Sequence, residues 1–109
     1  MTIYLIKQYN TTNYKIGCTA RTIEDRITEL QLGSGIILEY VDHYNSKYGI
    51  KLEKTLHRVY SQYALNREWF NLPDDIVDTF KVRCKLIENN FDLLNEKSSW
   101  IHENNKRKI

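Results

Sequence analysis

The architecture of this chain follows from the stretch TIYLIKQYNTTNYKIGC at residues 2–18. It holds two short apolar runs, at 2–8 and 13–18, separated by a polar segment rich in the Asn and Thr residues that favour turns. In an extended run, successive side chains point to opposite faces. The stretch therefore predicts two strands joined as an antiparallel β-hairpin.

The register of the hairpin determines which side chains share a face. If residue 8 pairs with residue 13, Tyr4 lies opposite Gly17 and Ile6 lies opposite Lys15. These four residues then occupy one face, Tyr4 and Lys15 are diagonal neighbours, and Gly17 leaves space beside the phenol. A slip of one residue would bring Tyr14 to this face in place of Lys15, and the strand sequences leave both registers open.

The remaining chain carries the signals of three helices and one further strand. Thr22 is a suitable N-cap, Gly33 a suitable helix end, and Pro73 a suitable first residue of the last helix. We expect a helix over 22–33, a strand over 36–43, a helix over 48–63, an extended connection over 64–72 and a final helix from Pro73.

Apolar spacing predicts the buried face of each helix. The first buries Ile23, Ile27 and Leu30, the second buries Leu52, Leu56, Val59, Tyr60 and Tyr63, and the last buries Ile76, Phe80, Cys84, Ile87, Phe91 and Leu94. Together with the strands, this predicts a small α/β (α+β) domain with a three-stranded antiparallel sheet flanked by helices.

Composition limits the organisation of the chain. Its 109 residues are 41% apolar and 28% charged, as expected for one globular domain, and a net charge of +2 does not by itself indicate a nucleic-acid binder. Residues 1–80 carry nine basic and ten acidic side chains, whereas residues 81–109 carry seven and four. We expect a core at 1–80 and, at 81–109, a C-terminal helix extension with a basic tail. This tail, which includes Lys106-Arg107-Lys108, is either solvated or contacts DNA.

Several classes of protein are disfavoured. No window approaches 18 consecutive apolar residues, and the N-terminus lacks a signal-peptide pattern, so we expect an intracellular protein without a membrane span. Cys18 and Cys84 are expected to be reduced core residues. Two cysteines and three scattered histidines give little support for a zinc site.

Six pieces of the sequence, taken in order, resemble the GIY-YIG nuclease superfamily. They are Ile3-Tyr4, Tyr14-Lys15-Ile16-Gly17, Arg26, Glu53, Leu56-His57 and Glu68-Trp69-Phe70. The K-I-G and E-W-F motifs resemble a branch found in phages, viruses, bacteria and fungi. Thr2 stands where the superfamily has glycine, Lys15 stands where it has its second tyrosine, and Asn71 is the nearest match to its terminal asparagine.

The resemblance implies a metal-dependent endonuclease that hydrolyses phosphodiester bonds in DNA, with Mg²⁺ or Mn²⁺ as cofactor. Mg²⁺ is held in such sites by one or two carboxylates plus waters and phosphate, and Glu53 would be the metal ligand. Tyr4 would position or deprotonate the attacking water, and Lys15 beside it would favour the phenolate. Arg26 would grip the scissile phosphate, with Lys15 and Arg21 as further nucleic-acid contacts. His57 would orient a metal-bound water or contact phosphate.

Each candidate also has a purely structural interpretation, which the sequence leaves open. Tyr4 packs in the sheet, Lys15 is exposed, Arg26 pairs with Glu29 or Glu24, His57 packs against Tyr60, and Glu53 is a surface acid one turn from His57. In the E-W-F motif, Trp69 and Phe70 are expected to close the core and Glu68 to anchor the site.

Two further functions compete with cleavage. One is a nucleic-acid-binding module that has lost catalysis, and the other is an accessory domain. Since few residues follow the motif region, target choice would come from weak intrinsic specificity, a homodimer or a partner protein.

Overall fold

The computed structural model describes the backbone of residues 1–107 and the side chains of residues 1–96. The elements, in chain order, are β1 (Thr2–Gln8), β2 (Asn13–Thr19), α1 (Ile23–Leu32), β3 (Leu38–Asn45), α2 (Gly49–Val59), a 3-10 turn (Ser61–Tyr63), β4 (Ala64–Asn66), β5 (Trp69–Asn71), α3 (Asp74–Asp78) and α4 (Phe80–Arg107). The domain is therefore mixed α+β, as predicted.

The sheet has five strands in the order β3-β1-β2-β5-β4, so the prediction of three strands is wrong. The two additional strands lie in the predicted connection, where Ala64–Asn66 and Trp69–Asn71 fold back on each other and β5 pairs with β2. Each has only three residues, which is too short for a period-two pattern to be recognised. The free edge of β2 pairs with β5, and β5 in turn pairs with β4.

The hairpin takes the register in which Tyr4 pairs with Gly17 and Ile6 pairs with Lys15. Tyr4, Ile6, Lys15 and Gly17 consequently share one face, which we call the site face. The opposite face carries Ile3, Leu5, Tyr14 and Ile16, all of which are buried in the core. The alternative register, with Tyr14 on the site face, is excluded.

Helices α2 and α4 cover the core face of the sheet. Their buried residues are Leu52, Leu56, Phe80, Cys84, Ile87 and Phe91, which pack with Tyr60, Phe70 and Leu72. Phe70 closes the core as predicted, but Trp69 does not, because Trp69 pairs with Lys15 and so lies on the site face. The half-buried Cys18 packs against the core, and both cysteines are free.

The helix boundaries differ from the predictions where packing ends. The second helix stops at Val59, whose side chain is 41% exposed, and the last helix is interrupted at Thr79 between α3 and α4. Leu94 was predicted to be buried and is 59% exposed, because the apolar repeat continues beyond the core. The predicted C-terminal helix is present through Arg107, whereas Lys108 and the side chains of the basic tail lie outside the described residues.

Helix α1 begins as predicted. The Thr22 side chain accepts a hydrogen bond of 3.1 Å from the Asp25 amide, which satisfies one of the free N–H groups at the helix start. Gly33 follows the last residue of the helix. Among the described residues, no helix is both long enough and apolar enough to cross a membrane.

Candidate active site

Tyr4 lies on the site face in strand β1, which is flanked by β3 and β2. Its side chain is 1% exposed, and its ring lies directly over Gly17, so that a Cβ atom at residue 17 would overlap the phenol hydroxyl. The space that glycine was expected to leave beside the phenol is therefore filled by the phenol itself. Tyr4 belongs to this face and not to the main core cluster.

Arg26 reaches Tyr4 from helix α1. The centre of its guanidinium group lies 6.0 Å from the centroid of the Tyr4 ring, and Nη1 donates to Glu29 Oε1 at 2.8 Å. The pKa of Arg26 is raised, first by its polar contact with the Tyr4 side chain and further by the charges of Glu29 and Glu68. Its Nε atom is buried without a hydrogen-bond partner among the described residues. Arg26 thus combines the pairing with Glu29 and the contact with Tyr4.

Glu29 also binds Arg21. The Arg21 guanidinium donates to Glu29 Oε2, and the Arg21 side chain is mostly exposed. One carboxylate therefore holds two of the predicted nucleic-acid contacts at the same end of α1. Arg21 lies at the rim of the site face, and its ion pair with Glu29 links it to Arg26.

Lys15 pairs with Glu68, a partner that the sequence analysis did not predict for it. Its Nζ lies 3.1 Å from Glu68 Oε2 and 6.0 Å from the centroid of the Trp69 ring. The cation that contacts Tyr4 is Arg26 and not Lys15, which differs from the expected arrangement. Lys15 is largely buried between these partners, so it is not the exposed strand residue of the structural interpretation.

Glu68, which was expected to anchor the site, lies between β4 and β5. Its backbone carbonyl accepts a hydrogen bond of 3.1 Å from the Ile16 amide, which fixes it beside β2, and its side chain pairs with Lys15. Its charge also acts on both Glu53 and Arg26. The one sequence signal was its place in the E-W-F motif, and its contacts depend on β5, which was not predicted.

His57 joins helix α2 to strand β2 at Ile16, one residue past the part of β2 that pairs with β5. Its Nε2 donates to the Ile16 carbonyl at 2.9 Å, because a carbonyl oxygen can only accept. The ring packs against Phe70, with centroids 5.2 Å apart, and not against Tyr60. Since Nε2 is used by the backbone, His57 anchors α2 in this position.

Glu53 lies one turn before His57 on the same side of α2, at the edge of the site face. Its Oε1 is 3.9 Å from His57 Nε2, and its side chain is 18% exposed. Burial raises the pKa of Glu53; His57 opposes this shift, whereas the carboxylate of Glu68 adds to it. The ionised form of Glu53 is therefore poorly solvated and has a second acid nearby.

These residues fit a magnesium site of the simplest kind. A desolvated carboxylate beside another acid gains from a divalent cation, and Mg²⁺ needs only one or two carboxylates when waters and phosphate complete its shell. The described residues contain no group of three or more His, Cys, Asp or Glu side chains that could hold a metal ion. Glu53 is the residue that would hold the ion.

The arrangement brings together the parts that phosphodiester hydrolysis requires. The site face holds a hydroxyl, Tyr4, with one cation in contact and a second, Lys15, nearby, and Glu53 lies at its edge. Contacts join the six predicted site residues in smaller groups. Arg26 contacts Tyr4 and shares Glu29 with Arg21, Lys15 pairs with Glu68, and Glu53 lies beside His57.

Comparisons with known proteins give one match. The family model of the T5orf172 domain matches residues 1–85, which is most of the chain and covers every element up to the start of α4. This phage-associated domain is related to nuclease-like folds of the GIY-YIG type. No curated protein and no solved structure matches the chain.

Proposed function

The chain belongs to the T5orf172 domain family, and we propose that it is a metal-dependent endonuclease that hydrolyses phosphodiester bonds in DNA. The observation that supports this proposal best is the meeting of Tyr4, Arg26 and Lys15 on one sheet face with the desolvated carboxylate of Glu53 at its edge. Each of these groups has a separate role in the proposed reaction.

The nucleophile in this proposal is a water molecule held by the Tyr4 hydroxyl. Because Tyr4 is buried and confined between Gly17 and Arg26, its hydroxyl has a fixed position from which to orient that water. The water oxygen attacks phosphorus and loses a proton to solvent, and negative charge grows on the phosphoryl oxygens. The bond to the leaving sugar oxygen breaks, and that oxygen takes up a proton from solvent.

Arg26 is the residue proposed to take up that charge. Its planar guanidinium group can hold two phosphoryl oxygens at once, and its contact with Tyr4 aligns the phosphate with the water. Lys15 provides a second positive charge. The phosphate would take the place of Glu29 and Glu68, which hold these two cations in its absence.

Glu53 is proposed to bind Mg²⁺ or Mn²⁺, which when bound would neutralise phosphoryl charge and assist the leaving oxygen. His57 is proposed as a positioning residue, since its hydrogen bond to the Ile16 carbonyl keeps α2 against β2 and so keeps Glu53 at the edge of the site. Glu68 is proposed to position Lys15 through their ion pair.

Supercoiled plasmid tests this function. We expect the wild-type protein to nick or linearise the plasmid with Mg²⁺ or Mn²⁺ and to leave it intact with a chelator. Tyr4→Phe, which removes only the hydroxyl, should reduce the rate by about 100-fold, in the range expected when a positioned catalytic group is lost. Tyr9→Phe is the matched control, because Tyr9 is exposed in the hairpin turn.

A different outcome would favour the second candidate function. If no metal supports cleavage but the protein binds DNA in a salt-sensitive manner, the chain is a binding module that has lost catalysis. The observation that favours this second function is that both Lys15 and Arg26 are paired with carboxylates.

A further inference from the structure

A groove lies between helix α1 and strand β3, on the site face but outside the cluster around Tyr4. It has a volume of about 490 Å³ and is lined by Ile23, Glu24, Ile27, Thr28, Tyr40 and His43. We call it the α1–β3 groove. His43 pairs with Tyr4 across the β1–β3 ladder and Tyr40 pairs with Ile6, so the groove lies one strand away from the proposed catalytic hydroxyl.

Two of the residues that line the groove, Tyr40 and His43, carry rings that contact each other. Tyr40 Oη and His43 Nδ1 are joined by a hydrogen bond of 2.7 Å, and the ring centroids are 5.9 Å apart at an angle of 48°. Tyr40 is 49% exposed although it lies in the interior of a strand. A large, exposed and fixed aromatic ring is suited to stacking against another flat ring, because little conformational freedom is lost on binding.

The charge of the lining residues favours a nucleobase over a phosphate as the group bound in the groove. Its described lining residues include one carboxylate, Glu24, and no lysine or arginine. A phosphate would be repelled here, whereas the neutral face of a nucleobase would meet Tyr40 and the side chains of Ile23 and Ile27. The carboxylate at the rim can accept a hydrogen bond from the exocyclic amino group of a base.

We propose that the α1–β3 groove binds one unpaired nucleobase of the substrate strand and favours a base that carries an exocyclic amino group. This inference rests on the proposed function for its class of substrate. The same helix that lines the groove also carries Arg26, so a nucleotide whose base occupies the groove has a phosphate-binding residue within the same helical turn. The groove would thus select distorted or single-stranded DNA over a perfect duplex.

The test is a titration of a short single-stranded oligonucleotide that contains 2-aminopurine, a fluorescent adenine analogue. It is performed with a chelator, so that no cleavage takes place. Stacking on Tyr40 should quench the fluorescence, and Tyr40→Ala should weaken binding by about 5- to 100-fold, the range measured for loss of one stacking ring. Tyr40→Phe should stay within a few-fold of wild type because it keeps the ring.

Tyr9→Ala is the matched control, since Tyr9 is an equally exposed tyrosine in the β1–β2 turn, and it should bind like wild type. Glu24→Ala should remove the preference for adenine or cytosine over thymine at the tested position. A fully paired duplex should bind Tyr40→Ala and wild type equally. Thermal unfolding monitored by circular dichroism verifies that each variant is folded.

Two results would overturn the inference. One is equal binding of the single strand by Tyr40→Ala and Tyr9→Ala, and the other is an equal loss of binding for single strand and duplex. If wild type nevertheless cleaves plasmid, the proposed function stands and only the groove assignment fails. If Tyr40-dependent quenching is seen without any cleavage, the groove assignment stands and the proposed hydrolysis fails.

Discussion

At Gly17, strand β2 lies so close to the ring of Tyr4 that no side chain fits between them. The ring of Tyr4 occupies the volume where any larger side chain at residue 17 would begin, and Tyr4 cannot turn outward because it is buried. We predict that Gly17→Ala destabilises the fold by about 1–3 kcal/mol through overpacking. It should also abolish cleavage, because the hydroxyl is displaced. Urea unfolding and the plasmid assay measure the two effects.

Gly35→Ala is the control for this substitution, because a Cβ atom at residue 35 meets nothing within 4 Å. Its free energy of unfolding should stay within about 0.5 kcal/mol of wild type. Equal stability of the two variants would mean that the Tyr4 ring does not lie over Gly17.

The ionised form of the Glu53 side chain lowers the stability of the folded chain. Burial raises its pKa above the ordinary value of 4.5, so the folded state holds this proton more tightly than the unfolded state. The contribution of Glu53 to stability is therefore fully present below the unfolded pKa and is lost as the pH rises through the raised folded pKa. At neutral pH the ionised carboxylate destabilises the fold slightly.

We predict that Glu53→Gln removes this penalty. The variant should gain stability relative to wild type as the pH increases from about 4 to 7, by less than about 1 kcal/mol because the group is partly solvated. Urea unfolding of both proteins at each pH measures this difference. A stability difference that falls over this interval would contradict a desolvated Glu53.

At the scale of single elements, helix α1 carries Arg26, the proposed phosphate-binding residue, together with a carboxylate that pairs with it. Glu29 binds both Arg21 and Arg26. We predict that Glu29→Gln increases the affinity for duplex DNA several-fold at low salt and less at high salt, because a competing anion is removed. Fluorescence anisotropy with a chelator present measures this affinity.

Glu39→Gln provides the control for α1. Glu39 pairs with Lys7 on the opposite face of the sheet, at 3.5 Å, so its removal frees a cation away from the site. DNA affinity should then change little. An equal gain in both variants would indicate that net charge alone, and not the α1 cluster, governs binding.

The elements also differ in how far the sequence predicts them. The sequence left two β1–β2 registers open, and the structure takes the one that puts Tyr4 and Lys15 on a shared face. The sheet face on which Trp69 lies could not be predicted from the sequence. It is set by the pairing of Trp69 with Lys15, and a three-residue strand is too short to show an alternating pattern. The ion pair of Glu68 with Lys15 could not be predicted for the same reason.

At the scale of the whole molecule, helix α4 is part of the core. Cys84, Ile87 and Phe91 are buried with the residues of β1, β2 and α2, and burial raises the pKa of the Cys84 thiol to about 12. Apolar spacing predicted this face but not its end, since Leu94 continues the repeat on an exposed turn. The site face and the face that packs against α4 are therefore opposite sides of one sheet.

We predict that a chain shortened to residues 1–80 lacks a cooperative unfolding transition, because it loses the buried side chains of Cys84, Ile87 and Phe91. Burial of a side chain such as Ile or Phe is worth about 1.5–3 kcal/mol. A chain shortened to residues 1–96 retains all of them and should unfold like the full chain. Urea denaturation followed by circular dichroism distinguishes the two. A cooperative transition of normal stability for residues 1–80 would contradict this role of α4.

The most direct test of the proposed nuclease site is the rate of Mg²⁺-dependent plasmid cleavage by Glu53→Gln, measured beside Glu96→Gln. Both substitutions replace one helical carboxylate by its neutral amide, but Glu96 is exposed on α4, away from the site face. Glu96→Gln should cleave at the wild-type rate, and Glu53→Gln should be slower by about 100-fold or more, as expected when a key electrostatic group is removed. Equal rates for the two variants would contradict the assignment of Glu53 and, with it, the proposed active site.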